Sequence, residues 1–346
     1  MLLFTAALIA GLVALYFGAE WLVRGSVDLA LRYRIRRSII GVTIIAIGTS
    51  MPEFVISLLA VIEDAYTLAL GNIIGSNISN VGFIIGLGAL LAPIRLTRSL
   101  LRREFAWMMG VLLGLYALSM NGQLGRLDGG LLVGVLFGFM YFLYRTRHHG
   151  VAAVPAALAS EDAKDQSARP ASEDPPASED PPAETDTDAA PSAPLRPLVH
   201  VIVLLIGGIG ALAGGAQAVV YGGTGIAQIL GVDELVVGLT VVAIGSSLPE
   251  LAASLVSLAR DEVDLSIGNI VGSNILNVAF VLGIVALVRP VPVTDTVLSF
   301  HLPVMLAICA VLPLLAFRRG YITRWGGVAL LGAYGAYLTA LALPYL

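Results

Sequence analysis

Gly48-Thr49-Ser50-Met51-Pro52-Glu53 returns 197 residues later as Gly245-Ser246-Ser247-Leu248-Pro249-Glu250, and each copy lies inside strongly apolar sequence. The repetition extends outward without a gap. Residues 41–93 align with residues 238–290, 26 of the 53 positions are identical, and a second preserved stretch, Gly71-Asn72-Ile73-Ile74-Gly75-Ser76-Asn77, pairs with Gly268-Asn269-Ile270-Val271-Gly272-Ser273-Asn274. The chain is an internal duplication whose best-preserved parts are the polar ones.

The composition is 57% hydrophobic and 13% charged, which no water-soluble domain of this length tolerates and which fits a chain that crosses a membrane many times. Apolar runs long enough to span the hydrocarbon lie near 2–23, 38–62, 67–92, 104–121, 127–144, 198–221, 235–259, 265–288, 297–316 and 325–343. The first has no basic leader, and its Gly18-Ala19-Glu20 matches Gly215-Ala216-Gln217 at the same offset. It is therefore expected to be a retained helix and not a cleaved signal. Glu20, flanked by Arg24, is expected at an interface. Cys309 is the only cysteine, so no intrachain disulfide forms.

Arginine orders the loops. The first, third, fifth, seventh and ninth loops hold 18 of the 20 basic residues, and only Arg126 and Arg289 fall on the other side. Cytoplasmic loops retain Lys and Arg, so the odd loops are expected inside the cell and both termini outside, in the plasma membrane. Five spans per copy is an odd number, and the second copy therefore enters the membrane from the opposite side. The sequence predicts an all-α polytopic membrane protein: ten transmembrane helices as two inverted five-helix repeats, residues 1–149 and 197–346. Inverted repeats bring equivalent positions together near the midplane, where alternating access operates.

Between the halves, residues 150–196 are rich in Ala, Pro, Ser, Asp and Glu, with Ala-Ser-Glu-Asp-Pro-Pro in tandem at 171–182. Such a segment buries too little apolar surface to fold, so a disordered cytoplasmic tether is expected. It has no EF-hand pattern. Ten of the 24 acidic residues are concentrated here against Lys164, Arg169 and Arg196, which is what makes the net charge −4, and no nucleic-acid partner is indicated.

A carboxylate inside an apolar span is costly and points to function. Glu53 and Glu250, brought together by the inversion, would make one site of charge −2. Thr49 and Ser50, with Ser246 and Ser247, place hydroxyls around the carboxylates. Proline lacks an amide hydrogen and crowds the carbonyl four residues earlier, here Gly48, so the turn should open and free backbone carbonyls. Those of Ala46, Thr49, Ala243 and Ser246 are the candidates. Ser76 and Asn80, with Ser273 and Asn277, add a second polar face, and the glycines before them allow a helix break or close packing. Every candidate ligand is an oxygen, without histidine or thiol. Hard cations therefore fit, and calcium with its many flexible oxygen ligands fits better than magnesium.

These motifs resemble those of the cation/calcium exchangers, whose two repeats look like Gly-Thr-Ser-x-Pro-Glu followed by Gly-Asn-x-x-Gly-Ser-Asn. The resemblance covers both halves and implies the sodium/calcium exchanger fold, with sodium entering as calcium leaves. It implies that Glu53 and Glu250 are shared by both ions and that the Thr49 and Ser246 carbonyls complete the calcium shell. By the same resemblance, Ser50 and Ser76 serve one sodium site and Ser247 and Ser273 another. Asn80 and Asn277 form the central polar pair; many relatives carry an aspartate at one of these positions, so potassium co-transport is not expected. The expected partners are the transported ions and the bilayer, with no cofactor.

Three other readings compete. A proton/calcium exchanger would use the glutamates as proton carriers, but would have no use for four serine hydroxyls. A channel or membrane scaffold would not need a duplicated, inverted carboxylate site. An intramembrane enzyme lacks support, since no His-Glu-x-x-His motif is present.

Overall fold

A computed structural model describes residues 1–146, 196–230, 243–316 and 320–342. The expected linker lies outside the described residues except for Arg196. Helices occupy the apolar runs: α1 (Leu2–Tyr33), α2 (Arg37–Thr49), α3 (Met51–Ile62), α4 (Tyr66–Leu91), α5 (Glu104–Ser119) and α6 (Arg126–Thr146). Then come α7 (Leu198–Ile229), α8 (Ala243–Ser246), α9 (Leu248–Ala259), α10 (Val263–Val288), α11 (Val297–Leu315) and α12 (Arg324–Ala342). The chain is a helical polytopic membrane protein. In hydrocarbon every backbone polar group must be satisfied internally, which is why apolar runs of this length can only be helices.

Each helix ends where its sequence requires. Arg34 closes α1 in the left-handed conformation, φ 51°, returning its N–H to the carbonyls of Ala30 and Leu31. Pro93 and Pro290 follow the ends of α4 and α10, where a missing amide hydrogen does no harm.

Helices α1 and α7 are 32 residues each, about 48 Å at 1.5 Å per residue, longer than the hydrocarbon is thick. They lie against each other antiparallel: Gly11 faces Gly215 and Val219, Gly18 faces Gly208 and Leu212, and Gly222 faces Phe4 and Leu8. A Cβ on Gly11 would stand 2.7 Å from the Gly215 carbonyl oxygen, so glycine is what allows the backbones this close. Helices α4 and α10 form the centre, buried over 78% and 83% of their most apolar windows against 22% for α1 and α7. Their apolar side chains belong to one core that also takes residues from α5, α6, α11 and α12.

The packing is interleaved. Gly82 and Gly86 of α4 abut Tyr334, Leu330 and Leu331 of α12, the last helix of the chain, while Gly283 of α10 abuts Gly129 and Val133 of α6. Each half's third helix is thus covered by the closing helix of the other half. Two short antiparallel pairs tie the loops, β1 (Ile94–Arg95) with β4 (Tyr321–Ile322) and β2 (Gln123–Leu124) with β3 (Val291–Pro292). Each pair joins loops that the arginine count assigns to the same side. Ion pairs keep the same grouping: Arg36 with Glu104, Arg37 with Glu262 and Arg196 with Asp28 join arginine-rich loops, and Arg289 pairs with Asp64 on the other side.

Candidate functional site

The first motif bends the chain as its proline foretells. Helices α2 and α3 meet at 46° with Ser50 between them, φ −84° and ψ 6°, and Pro52 sits in the first turn of α3, where its missing N–H costs nothing. The second copy repeats the geometry, with Ser247 at φ −89° and ψ 4° and Pro249 in the first turn of α9. The Ala46 carbonyl keeps its helical bond, accepting the Ser50 N–H at 3.0 Å, which leaves its second lone pair available to a cation. Ala243 begins the described part of the second copy, in α8.

The glycines of the second motif do not break their helices. Both α4 and α10 run through them and instead carry a π-helical turn further on, Asn80–Ile85 and Asn277–Leu282. Each π turn starts at the asparagine singled out from sequence. Such turns insert an extra residue and leave irregular backbone, a device found mostly at functional positions.

These bends bring the predicted side chains into one buried cluster drawn from both halves. Glu53, Thr49, Asn277 and Ser273 are fully buried, and Glu250, Asn80, Ser50, Ser76, Ser246 and Ser247 nearly so. The hydrogen bonds cross between the halves. Ser50 Oγ donates to Glu250 Oε1 at 3.1 Å, Thr49 Oγ1 donates to Asn269 Oδ1 at 3.2 Å, and Asn80 Nδ2 donates to Asn274 Oδ1 at 2.9 Å. Ser76 and Ser246 stand beside Glu53, and Thr49 and Ser273 beside Glu250; the two carboxylates are near enough to act on each other. Ser50 and Ser76, expected to share a sodium site, thus stand at different carboxylates.

What remains unpaired defines the chemistry. Both carboxylate oxygens of Glu53, Oε2 of Glu250, Oδ1 of Asn77 and Asn80, Oγ of Ser273 and both amide atoms of Asn277 are buried without a hydrogen-bond partner among the described residues. A buried polar atom left unpaired costs about 1–3 kcal/mol, and more when charged. A cluster of unpaired oxygens with two carboxylates fits a dehydrated hard cation, which would supply the missing partner. Among the described residues no group of three or more His, Cys, Asp or Glu comes together, so the two carboxylates would depend on hydroxyl, amide and carbonyl oxygens to complete a cation's shell.

Sequence reasoning missed the supports of this cluster. Asn72 Nδ2 bonds Ser57 Oγ at 2.9 Å and the Glu53 carbonyl at 3.2 Å; Asn269 Nδ2 bonds Ser254 Oγ at 3.2 Å. Asn77 Nδ2 returns to the Ile73 carbonyl at 2.7 Å, and Asn274 Nδ2 bonds the Asn77 carbonyl at 3.3 Å and Cys309 Sγ at 3.7 Å. All six side chains of the duplicated set, Ser57, Asn72 and Asn77 with Ser254, Asn269 and Asn274, are identical between copies at membrane depth. That identity was the available signal.

The sequence profile described as sodium/calcium exchanger protein matches residues 3–145 and 200–343, both halves with the linker left out. The chain belongs to the sodium/calcium exchanger family. It is 34% identical over 342 residues to the inner membrane protein YrbG of Escherichia coli (strain K12), covering 99% of this chain and 97% of that protein. It is 30% identical over 339 residues to the sodium/calcium exchanger MaX1 of Methanosarcina acetivorans, covering 96% and 97%. Among solved structures, the sodium-calcium exchanger NCX_Mj, soaked without sodium or calcium, superposes with a TM-score of 0.77 at 26% identity, over 98% of this chain and 99% of that one. As a member of the family the chain is an antiporter of the sodium/calcium class and an integral membrane protein, and its named relatives are transporters.

Proposed function

We propose that this exchanger carries sodium into the cell and calcium out by alternating access at one site formed by Glu53 and Glu250. The observation that carries the reading is the unpaired, buried oxygen cluster to which each half contributes one carboxylate, joined by hydrogen bonds that cross between the halves. Two carboxylates shared by both ion types make occupancy exclusive. Only a loaded site screens the −2 charge well enough to pass through a closed, low-dielectric intermediate. Uncoupled leak is suppressed on the same ground.

The architecture that goes with this function is ten helices in two inverted halves, with both termini outside and the linker in the cytoplasm. Antiparallel packing of α1 on α7 and the grouping of same-side loops by hairpins and ion pairs support it. Hydroxyl groups at both carboxylates favour sodium over protons as the coupling ion, since a neutral Ser serves a sodium site and contributes nothing to proton carriage.

Radioactive calcium uptake into proteoliposomes tests the coupling. Uptake is expected with sodium inside and none outside, and to collapse when sodium is made equal on both sides. Uptake that follows an acid interior and ignores sodium would overturn the reading in favour of proton exchange, and single-channel currents would overturn antiport altogether.

A further inference from the structure

Glu20 is read from sequence as an interfacial residue, yet it is only 8% exposed and accepts hydrogen bonds from three arginine nitrogens. Arg260 grips it with both Nε and a terminal nitrogen, and Arg24, one turn along α1, adds a third contact. Two residues beyond Arg260, Glu262 takes Arg37 from the start of α2 at 2.8 Å. Arg260 follows directly on α9. Its N–H caps that helix on the carbonyls of Val256, Ser257 and Leu258, and Asp261 turns the chain at φ 59°. The same helix carries Glu250 in its first turn. Movement of Arg260 is therefore movement of the helix that holds half of the ion site.

The duplication supplies an internal control. At the positions equivalent to Glu20, Arg260 and Glu262 stand Gln217, Glu63 and Ala65, which cannot form these pairs. The ion pair found at the equivalent loop, Asp64 with Arg289, is exposed on both partners, at 64% and 45% of their side-chain surface. Exposed pairs of this kind contribute little. On the Arg260 side, Gly41 and Gly268 also press backbone on backbone, with the Leu265 and Ser38 carbonyl oxygens each 2.6 Å from where a Cβ would stand.

We propose that Glu20, Arg24 and Arg260, with Arg37 and Glu262, form a one-sided ion-pair latch that holds α1 and α2 against the α9–α10 turn. The latch must break for the site to open on that face, and so it biases the resting exchanger toward opening on the other. This rests on the alternating-access reading above. Glu20 is buried while its arginines are partly exposed, so removing Arg260 leaves the Glu20 charge under-compensated and makes the closed form of that face less favourable.

The test uses the full chain with Cys309→Ala and Ser266→Cys, because Ser266 is fully buried at the start of α10 on the latched face. A membrane-impermeant maleimide is applied to sealed vesicles of either orientation, without calcium. Glu20→Gln, which copies the residue at the equivalent position, and Arg260→Gln are each expected to raise the labelling rate roughly tenfold. The exchanged pair Glu20→Arg with Arg260→Glu is expected to bring it back, and Arg260→Lys to lie between. Unchanged labelling in the single variants, or a double variant as fast as the singles, overturns the latch. Labelling is expected from the cytoplasmic side. Latch-dependent labelling from the other side would leave the latch standing and overturn the assigned orientation, whereas loss of sodium-coupled flux with the same labelling pattern would overturn only the ion assignment.

Discussion

The stretches Gly71–Asn77 and Gly268–Asn274 differ at one position, Ile74 against Val271, yet make different contacts. In the second copy Gly268 and Gly272 are buried against α2: a Cβ on Gly268 would stand 2.6 Å from the Ser38 carbonyl oxygen, and one on Gly272 would overlap the Val42 backbone. The residues equivalent to Ser38 and Val42 in the first copy's surroundings, 235 and 239, lie outside the described residues. The described difference is at the last residue of each stretch: Asn77 Nδ2 bonds the Ile73 carbonyl of its own helix, whereas Asn274 Nδ2 bonds the Asn77 carbonyl of the other half and Cys309 Sγ. Nearly identical sequence thus makes unlike contacts where the two halves meet.

The largest effect is expected where the copies are equal. Glu53→Gln and Glu250→Gln should each abolish exchange, at least about 100-fold in flux, while the purified protein stays monodisperse. A variant of either residue that keeps calcium flux would break the idea that the halves share one site. Next comes the glycine packing. Gly272→Ala should lower stability by about 1–3 kcal/mol through overpacking against Val42, read as a fall in Tm. An unchanged Tm would show that this close approach does not persist in the membrane.

A finer test concerns the supporting asparagines. Asn269→Ala removes the donor to Ser254 Oγ and the shorter of the two acceptors of Thr49 Oγ1 in a buried setting and should cost about 1–3 kcal/mol, read as a fall in Tm. The smallest effect is expected at the hydroxyls. Ser50→Ala removes a donor to Glu250 and should weaken sodium dependence severalfold in flux assays, on the order of one net hydrogen bond, about 0.5–1.5 kcal/mol. An unchanged sodium response would remove Ser50 from the ion shell.

Much of the site was legible because polar groups at membrane depth are costly and therefore informative. Glu53, Glu250 and the serines announced themselves in this way, and Pro52 and Pro249 announced the bends. Asn72 and Asn269 lay one turn before Ser76 and Ser273 on the same face and were passed over, whereas Asn77 and Asn274 fell off the helical face on which the sequence reading concentrated. The π turns at Asn80 and Asn277 were not legible, since the residues that follow are ordinary apolar helix formers. Nor was the retained helical bond of the Ala46 carbonyl, because proline at 52 removes a donor to Gly48 and says nothing about the turn before.

The crossed packing of α4 on α12 and of α6 on α10 bears on how this protein can be made. When the ribosome has finished the first half, the Gly82 and Gly86 face of α4 still has no cover, because α12 belongs to the second half. The duplicated gene therefore no longer encodes two separable products. Either half made alone should be degraded, and the halves should recover function only when co-expressed and inserted into the same bilayer.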